Sequence, residues 1–166
     1  MKSLGAQLSQ YGQYHRDRRN RATHYVGIPV IVLAVLALLS RPAIELGAVT
    51  VTPAHIVVLG ALLYYWRLDA GFALAMTVVL AAALWFGARA ALLDRATWLA
   101  LGVGGFVAGW ALQFIGHAFE GRKPAFLDDL ASLLIGPLFV LAEAMFALGL
   151  YRTLAAQVAG KGATPT

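Results

Sequence analysis

The stretch "GFALAMTVVLAAALWFGARAALL", residues 71–93, decides the class of fold. It is apolar apart from Thr77 and Arg89, and it is longer than the roughly 20 residues that a helix needs to cross a bilayer. Within lipid only α-helices and closed β-barrels satisfy their own backbone, and this run lacks the period-2 alternation of a barrel strand. The stretch therefore predicts a membrane-spanning α-helix.

The composition of the whole chain agrees with this prediction. Of the 166 residues 60% are hydrophobic and only 13% are charged, whereas soluble domains are about half apolar and about a quarter charged. The mean hydropathy is +0.73. The chain has no cysteine, which excludes disulfides and thiolate metal sites, so any metal must be held by His, Asp, Glu or Asn. We expect an integral membrane protein.

Further apolar segments flank this run, and they cover residues 24–39, 53–66, 96–119 and 130–151. The third, fourth and fifth segments along the chain are long enough to span a bilayer, whereas the first two are short. These two are either short tilted spans or a re-entrant pair. Small residues in "GVGGFVAG" (102–109) favour close helix packing.

The predicted fold class is all-α, a multi-pass transmembrane helical bundle with about five membrane-embedded helices. We expect a single membrane-embedded domain over residues 1–158, which begins with a polar, basic segment at 1–23. Residues 159–166, which include "GKGATPT", are predicted to be a disordered tail.

The positive net charge of the chain is also explained best by a location in a membrane. The net charge is +5, but the arginines cluster beside apolar runs, where orientation in the membrane and anionic headgroups explain them better than nucleic acid does. The positive-inside rule places the amino terminus and the loop 120–129 on the cytoplasmic side, in a bacterial inner membrane. An even number of crossings separates these two regions, so we expect them to meet.

The first region that carries chemistry is "YHRDRRNRATHYVGIPV", residues 14–30. His15 and His24 are nine residues apart and would point in roughly opposite directions on one unbroken helix. Either the helix breaks between them or only one of them is a ligand. Asp17 or Asn20 could cap a new helix after such a break, and Asn20 would then share a face with His24.

The second region is "QFIGHAFEGRKPAF", residues 113–126. His117 and Glu120 are three residues apart and share a helix face, and Pro124 prevents that helix from continuing far. An imidazole and a carboxylate are costly in apolar surroundings unless they are paired or coordinated, so both are functional candidates.

Together these regions predict a metal site made of His15, His24, His117 and Glu120, with Asn20 close by. Imidazoles with one carboxylate and no sulfur suit non-haem Fe(II) with open positions. Zinc with a bound water is the chemical rival. A plainer interpretation of "RDRRNR" (16–21) is an orienting flank, and a sharper one is that one or two of these arginines hold a fatty-acid carboxylate.

Other polar residues lie near or within the apolar segments. His55 is interpreted as structural, and Asp128 as the N-cap of the fifth helix. Glu143, in the middle of the fifth segment, must find a partner or stay protonated, either beside the site or in a packing hydrogen bond.

These residues carry a resemblance to a known family. "YHRDRRNRATHYVGIP" followed by "GWALQFIGHAFEGRKPAFLDDLASLLIGPLFVLAE" resembles the 2-hydroxy fatty acid dioxygenase family, the Mpo-type membrane proteins of fungi and bacteria. The match covers most of the chain. Arg16 stands where some fungal members carry a second histidine, which indicates that a histidine is not required there.

The resemblance implies an Fe(II)-dependent dioxygenase of fatty-acid α-oxidation, which takes a 2-hydroxy fatty acid and O2 and releases a product one carbon shorter. It implies His15, His24 and His117 as the characteristic histidines, with Asn20 and Glu120 as catalytic companions. Residues for substrate binding would come from the basic flank and from aromatic walls, and the candidates are Tyr14, Arg18, Arg19, Trp66, Trp110, Phe114 and Arg122.

Two rival functions use the same residues. A small transporter or ion-binding membrane protein would relay protons or metal through intramembrane His and Glu, but its polar residues should be spread across the bilayer depth. A zinc-dependent membrane hydrolase would act without oxygen. The sequence does not fix the oligomeric state.

Overall fold

The computed structural model describes residues 2–47 and 49–160, which are almost entirely helical. The all-α prediction is confirmed. The helices are α1 Leu4–Gln13, α2 Arg18–Ser40, α3 Pro53–Leu68, α4 Ala70–Ala91, α5 Arg95–Leu99, α6 Gly105–Glu120, α7 Ser132–Ala147 and α8 Arg152–Val158. A π-helical segment, Ala100–Gly104, joins α5 to α6, and a 3-10 turn, Ala125–Leu127, precedes α7.

A small β-hairpin, which the sequence analysis missed, follows α2. Strands β1 (Ile44–Leu46) and β2 (Val49–Val51) pair antiparallel, with Ile44 opposite Val51 and Leu46 opposite Val49. Gly47 has φ +66, a left-handed backbone conformation that glycine adopts without steric cost. The hairpin is too short for periodicity to reveal it.

Three helical stretches among the described residues are long and apolar enough to cross a membrane, namely Arg18–Ser40, Ala70–Ala91 and Arg95–Glu120. The prediction that the first apolar segment is short was wrong, because its helix begins inside the basic flank and has 23 residues. Conversely, α7 has 16 residues and is shorter than its apolar segment, and α3 also has 16. Five membrane-embedded helices and a re-entrant pair stay predictions.

The chain forms two compact units. The terminal unit comprises the residues up to Tyr25 and those from Leu112 onward, and the central unit comprises Val26–Ala111. Helices α2 and α6 contribute residues to both units. The single domain expected over 1–158 stays a prediction.

In the terminal unit, α1 packs against α7 and α8. Leu8 of α1 and Leu138 of α7 are fully buried, and the rings of Tyr11 and Phe139 lie 5.0 Å apart. A Cβ atom on Gly5 would come within 2.7 Å of the Gln157 side chain on α8, so the glycine permits this close approach.

The central unit depends on similar close packing. Helices α3 and α4 pack together, and Asp69 starts α4 by accepting a hydrogen bond from the Phe72 amide at 2.9 Å. A Cβ atom on Gly109 would lie 3.0 Å from the Gly27 carbonyl oxygen, which agrees with the packing role predicted for the glycine-rich stretch. His55 forms a capping box with Thr52 at the start of α3, which is a structural role as expected.

The prediction that Asp128 is the N-cap of the fifth apolar helix was wrong, because this helix, α7, begins at Ser132. The carboxylate of Asp128 instead accepts hydrogen bonds from Lys123 at 2.5 Å and from the Tyr14 hydroxyl at 3.1 Å. Of the expected tail 159–166, Ala159 and Gly160 directly follow α8, and residues 161–166 lie outside the described residues.

Candidate metal centre

The amino-terminal half of the centre is a helix break. Helix α1 ends at Gln13 and α2 begins at Arg18, so His15 lies in the connection and His24 lies within α2. Asp17 caps α2, because its Oδ1 accepts a hydrogen bond from the Arg19 amide at 2.8 Å. Of the two alternatives that the nine-residue spacing of the histidines left open, the structure shows the helix break.

Three histidines meet in the terminal unit. The side chains of His15, His24 and His117 are buried, and one nitrogen atom from each lies within 4.8 Å of the corresponding atoms of the other two. The two regions that the sequence analysis expected to meet thus come together.

Hydrogen bonds fix the tautomers of two of these histidines. Nδ1 of His15 lies 2.7 Å from the Tyr11 carbonyl oxygen, and Nδ1 of His24 lies 2.9 Å from the Asn20 carbonyl oxygen. A carbonyl oxygen can only accept, so each Nδ1 must carry the hydrogen and donate it. Each Nε2 then presents a lone pair in the neutral ring.

These two Nε2 atoms lie 3.1 Å apart. Two lone pairs at this distance repel each other unless a proton or a cation lies between them. Burial lowers the pKa of His15 to about 4, so a shared proton is disfavoured at neutral pH. Two nitrogen ligands at ~2.1 Å from one ion and roughly at right angles would be about 3.0 Å apart, which fits a metal.

His117 adds a third unsatisfied nitrogen. Its Nδ1 is buried and has no hydrogen-bond partner among the described residues. A buried polar atom left unpaired costs about 1–3 kcal/mol, a cost that an ion would remove. Imidazole nitrogens suit Fe, Zn, Cu and Ni, so the donor set fits a first-row divalent metal.

Glu120 has different partners from those predicted for a ligand. Its carboxylate accepts hydrogen bonds from the backbone amides of Arg16 at 3.0 Å and Asp17 at 2.8 Å, and from Nδ2 of Asn20 at 3.1 Å. In the described part of the chain, the group of possible ligand atoms contains the three histidines without Glu120. The carboxylate thus ties the connection between α1 and α2 to the end of α6.

Asn20 lies directly beside the histidines. It is fully buried, and besides Glu120 its Nδ2 also donates to the Tyr14 carbonyl oxygen at 3.2 Å. Its Oδ1 is buried without a hydrogen-bond partner among the described residues. A Cβ atom on Gly116 would lie 2.5 Å from this oxygen, so only glycine leaves room for Asn20 and the adjacent His24.

The predicted substrate-binding residues are scattered. Arg18 is exposed, and Arg19 pairs with Asp17 at 2.9 Å and stacks over Phe119. Arg122 donates to the Gln13 carbonyl oxygen at 3.3 Å, and Phe114 is exposed. The two predicted tryptophans, Trp66 and Trp110, belong to the central unit.

A cluster that the sequence analysis did not assemble lies around Glu143. Its carboxylate pairs with the guanidinium of Arg21, and its Oε2 accepts a hydrogen bond from the Tyr25 hydroxyl at 3.0 Å. Glu143 therefore has the partner that its position demanded. Arg21 and Tyr25 are four residues apart on α2, a spacing that could have indicated that they act together.

A cavity of about 650 Å³ in the terminal unit borders the centre. His15 lines it together with Arg16, Arg21 and Glu143, and α7 and α8 supply apolar residues. Its volume lies within the roughly 300–1,000 Å³ of small-molecule sites.

The fold and the centre define a helical protein with three candidate membrane-spanning helices and a cluster of three histidines that could hold a metal ion. The chain matches the family model described as 2-hydroxy-palmitic acid dioxygenase Mpo1-like over residues 1–148, and it belongs to this family. It is 32% identical over 152 residues to the 2-hydroxy-palmitic acid dioxygenase MPO1 of Saccharomyces cerevisiae, covering 88% of this chain and 82% of that protein. No solved structure matches the chain.

Proposed function

We propose that this protein is an Fe(II)-dependent dioxygenase that shortens 2-hydroxy fatty acids by one carbon. The membership in the Mpo1-like family and the name of the yeast relative support the reaction class and the substrate. The observation that carries the metal is the pair of Nε2 lone pairs 3.1 Å apart, in a cluster to which His117 contributes a third ring nitrogen.

The reaction balances without a further reductant. A 2-hydroxy acid R–CH(OH)–COOH and one O2 have the same atoms as R–COOH, CO2 and H2O. The C1–C2 bond breaks, C1 leaves as CO2, C2 becomes the new carboxyl carbon, and O2 takes up the four electrons. Bound iron would supply the activation of oxygen. The need for oxygen distinguishes this function from hydrolysis.

The chain's own residues hold the centre in shape. The carbonyl oxygens of Tyr11 and Asn20 fix the rings of His15 and His24 in the tautomer that leaves Nε2 free. Partners of this kind raise ligand basicity and set ring orientation. Burial of all three histidines keeps water away from the reacting groups.

Two further roles belong to the proposal. Asn20 and Glu120 act as catalytic companions of the histidines. Glu120 as a fourth metal ligand stays a prediction, which complete loss of the metal in a Glu120→Gln variant would support. The bilayer would deliver the substrate, and the centre would face the cytoplasm.

The test is oxygen uptake by the purified full-length protein. With Fe(II) and 2-hydroxyhexadecanoate, we expect one O2 to be consumed for each acid and a product one carbon shorter, identified by mass spectrometry. Protein loaded with zinc should consume no oxygen.

The His55→Ala variant is the matched control, since it removes a histidine that only caps α3. It should retain oxygen uptake, whereas His24→Ala should lose it. Absence of oxygen uptake by the iron-loaded wild type would refute the dioxygenase, and turnover by the zinc form without oxygen would support the hydrolase instead.

A further inference from the structure

The cavity beside His15 is lined by charged groups whose sum matches one carboxylate. Arg16 and Arg21 contribute two positive charges and Glu143 contributes one negative charge, so the charges of these three side chains sum to +1. A fatty acid brings one negative charge. The cavity therefore has the charge that would neutralise such a ligand.

Arg21 retains hydrogen-bonding capacity despite its pairing with Glu143. Its Nη2 donates to the Tyr25 hydroxyl at 3.1 Å, on the same side of the guanidinium that meets Glu143. Its Nε is buried and has no hydrogen-bond partner among the described residues. A planar guanidinium with a free donor is suited to a carboxylate oxygen.

The remaining lining fits an acyl chain. Phe139 and Phe146 of α7 and Ala155 and Val158 of α8 supply apolar surface. Gly12 of α1 also lines the cavity, and a Cβ atom there would be in van der Waals contact with Phe139 at 3.7 Å and with Val158 at 3.8 Å. Burial of the methylene groups of a long acyl chain against this surface is favourable.

From these observations we infer that the cavity formed by α1, α7 and α8 beside His15 binds the acyl chain of a long-chain 2-hydroxy carboxylate, and that Arg21 binds its carboxylate. The inference rests on the proposed function for the identity of the acid. It replaces Arg18 and Arg19, which are exposed, as the residues expected to recognise the carboxylate.

The experiment is equilibrium binding of radiolabelled 2-hydroxyhexadecanoate to the full-length, metal-free protein in nanodiscs. Arg21→Gln should weaken binding at least about tenfold, because a charge-assisted hydrogen bond is lost. Hexadecane-1,2-diol, which has the same length and no carboxylate, should bind the variant and the wild type equally.

Two matched variants control for the charge. Arg95→Gln removes an exposed arginine of the central unit and should leave binding of the acid unchanged. The double variant Arg21→Gln/Glu143→Gln removes both members of the ion pair, so it avoids an unpaired, partly buried carboxylate. It should lose affinity for the acid and retain affinity for the diol.

Binding of the acyl chain is tested by substitutions in α8, which forms part of the cavity wall. Ala155→Phe should narrow the cavity and weaken binding of 2-hydroxyhexadecanoate more than that of 2-hydroxyoctanoate. Ala156→Phe, on the neighbouring residue that does not line the cavity, should leave this ratio unchanged.

Equal affinities of Arg21→Gln and Arg95→Gln for the acid would overturn the role of Arg21. Equal chain-length ratios of Ala155→Phe and Ala156→Phe would overturn the role of the cavity. Because binding is measured without metal, a wild type that binds the acid but consumes no oxygen would refute the dioxygenase and leave the binding site standing.

Discussion

The terminal unit and the central unit bury different kinds of side chain. Among the described residues, the buried polar side chains of the central unit are Ser40 and Thr52. Those of the terminal unit are Gln7, His15, Asn20, His24, Gln113 and His117. All ion pairs found within the described ranges also lie in the terminal unit.

This difference has a physical reason. Burial of a polar group is costly unless it is paired or coordinated, so polar side chains collect where each has a partner or a ligand. The central unit instead relies on apolar contacts and on glycines that let helices approach. The comparison teaches that the groups capable of chemistry are concentrated in the terminal unit, whereas the described residues of the central unit pack mainly through apolar contacts.

The largest effect should follow from His117→Ala, which removes a nitrogen of the centre. We expect stoichiometric iron to be lost and oxygen uptake to fall to background, since loss of a ligand exceeds the roughly 10–100-fold loss caused by removing a ligand's hydrogen-bond partner. Elemental analysis of the purified variant beside His55→Ala tests this. Equal iron in the two variants would remove His117 from the centre.

Glu120→Gln should have an intermediate effect. The Gln side chain has one acceptor oxygen, so it can accept from the Arg16 amide or from the Asp17 amide but not from both, and it loses the charge that strengthens these hydrogen bonds. We expect metal affinity to fall by about 10–100-fold, measured by competition with a chelator. A loss as complete as that of His117→Ala would instead identify Glu120 as a ligand.

Two glycine substitutions, one in each unit, distinguish a loss of stability from a loss of iron. Gly87→Ala places a Cβ atom 2.8 Å from the Leu36 carbonyl oxygen, and because backbone must move, stability should fall by about 1–3 kcal/mol while iron is retained. Gly116→Ala crowds Asn20 and His24, so it should also lose iron. Thermal unfolding and metal content, measured on both variants, test the comparison. Iron loss in Gly87→Ala would contradict it.

The smallest effect is expected for Gly60→Ala in α3. A Cβ atom at this position meets nothing within 4 Å, and alanine favours a helix by up to about 1 kcal/mol over glycine. The unfolding temperature should stay the same or rise slightly, with iron unchanged. A clear fall would show that the glycines of the central unit serve something other than close packing.

Much of the fold could be predicted from local pattern. Apolar runs and the absence of alternation indicated membrane helices, and the nine-residue spacing of His15 and His24 left a break between α1 and α2 as one of two alternatives. The helix of the first apolar segment was predicted to be short, because the polar residues 18–23, which extend α2 ahead of that segment, carry no apolar pattern. The role of Asp128 was missed because its partners, Lys123 and Tyr14, come from a loop and from a distant helix end.

The arginines show the limit of sequence reasoning most clearly. Arg18, Arg19 and Arg21 look alike in "RDRRNR", yet only Arg21 lines the cavity and pairs with Glu143. Successive helix positions point in different directions, about 100° apart, and which direction meets α7 depends on packing. No pattern within residues 16–21 contains this information.

The sequence by itself indicated the helical membrane class and singled out His15, His24 and His117 as candidate metal ligands, because the length of an apolar run and the chemistry of a side chain are local properties. Tertiary structure alone decided that the Nε2 atoms of His15 and His24 face each other, that Glu120 holds backbone amides, and that Arg21 borders a cavity. The contacts of Glu120 and of Arg21 join residues about 100 positions apart or more, as between Asn20 and Glu120, and the histidine pair depends on the angle between α1 and α2. Such distances and angles are set only when the helices pack.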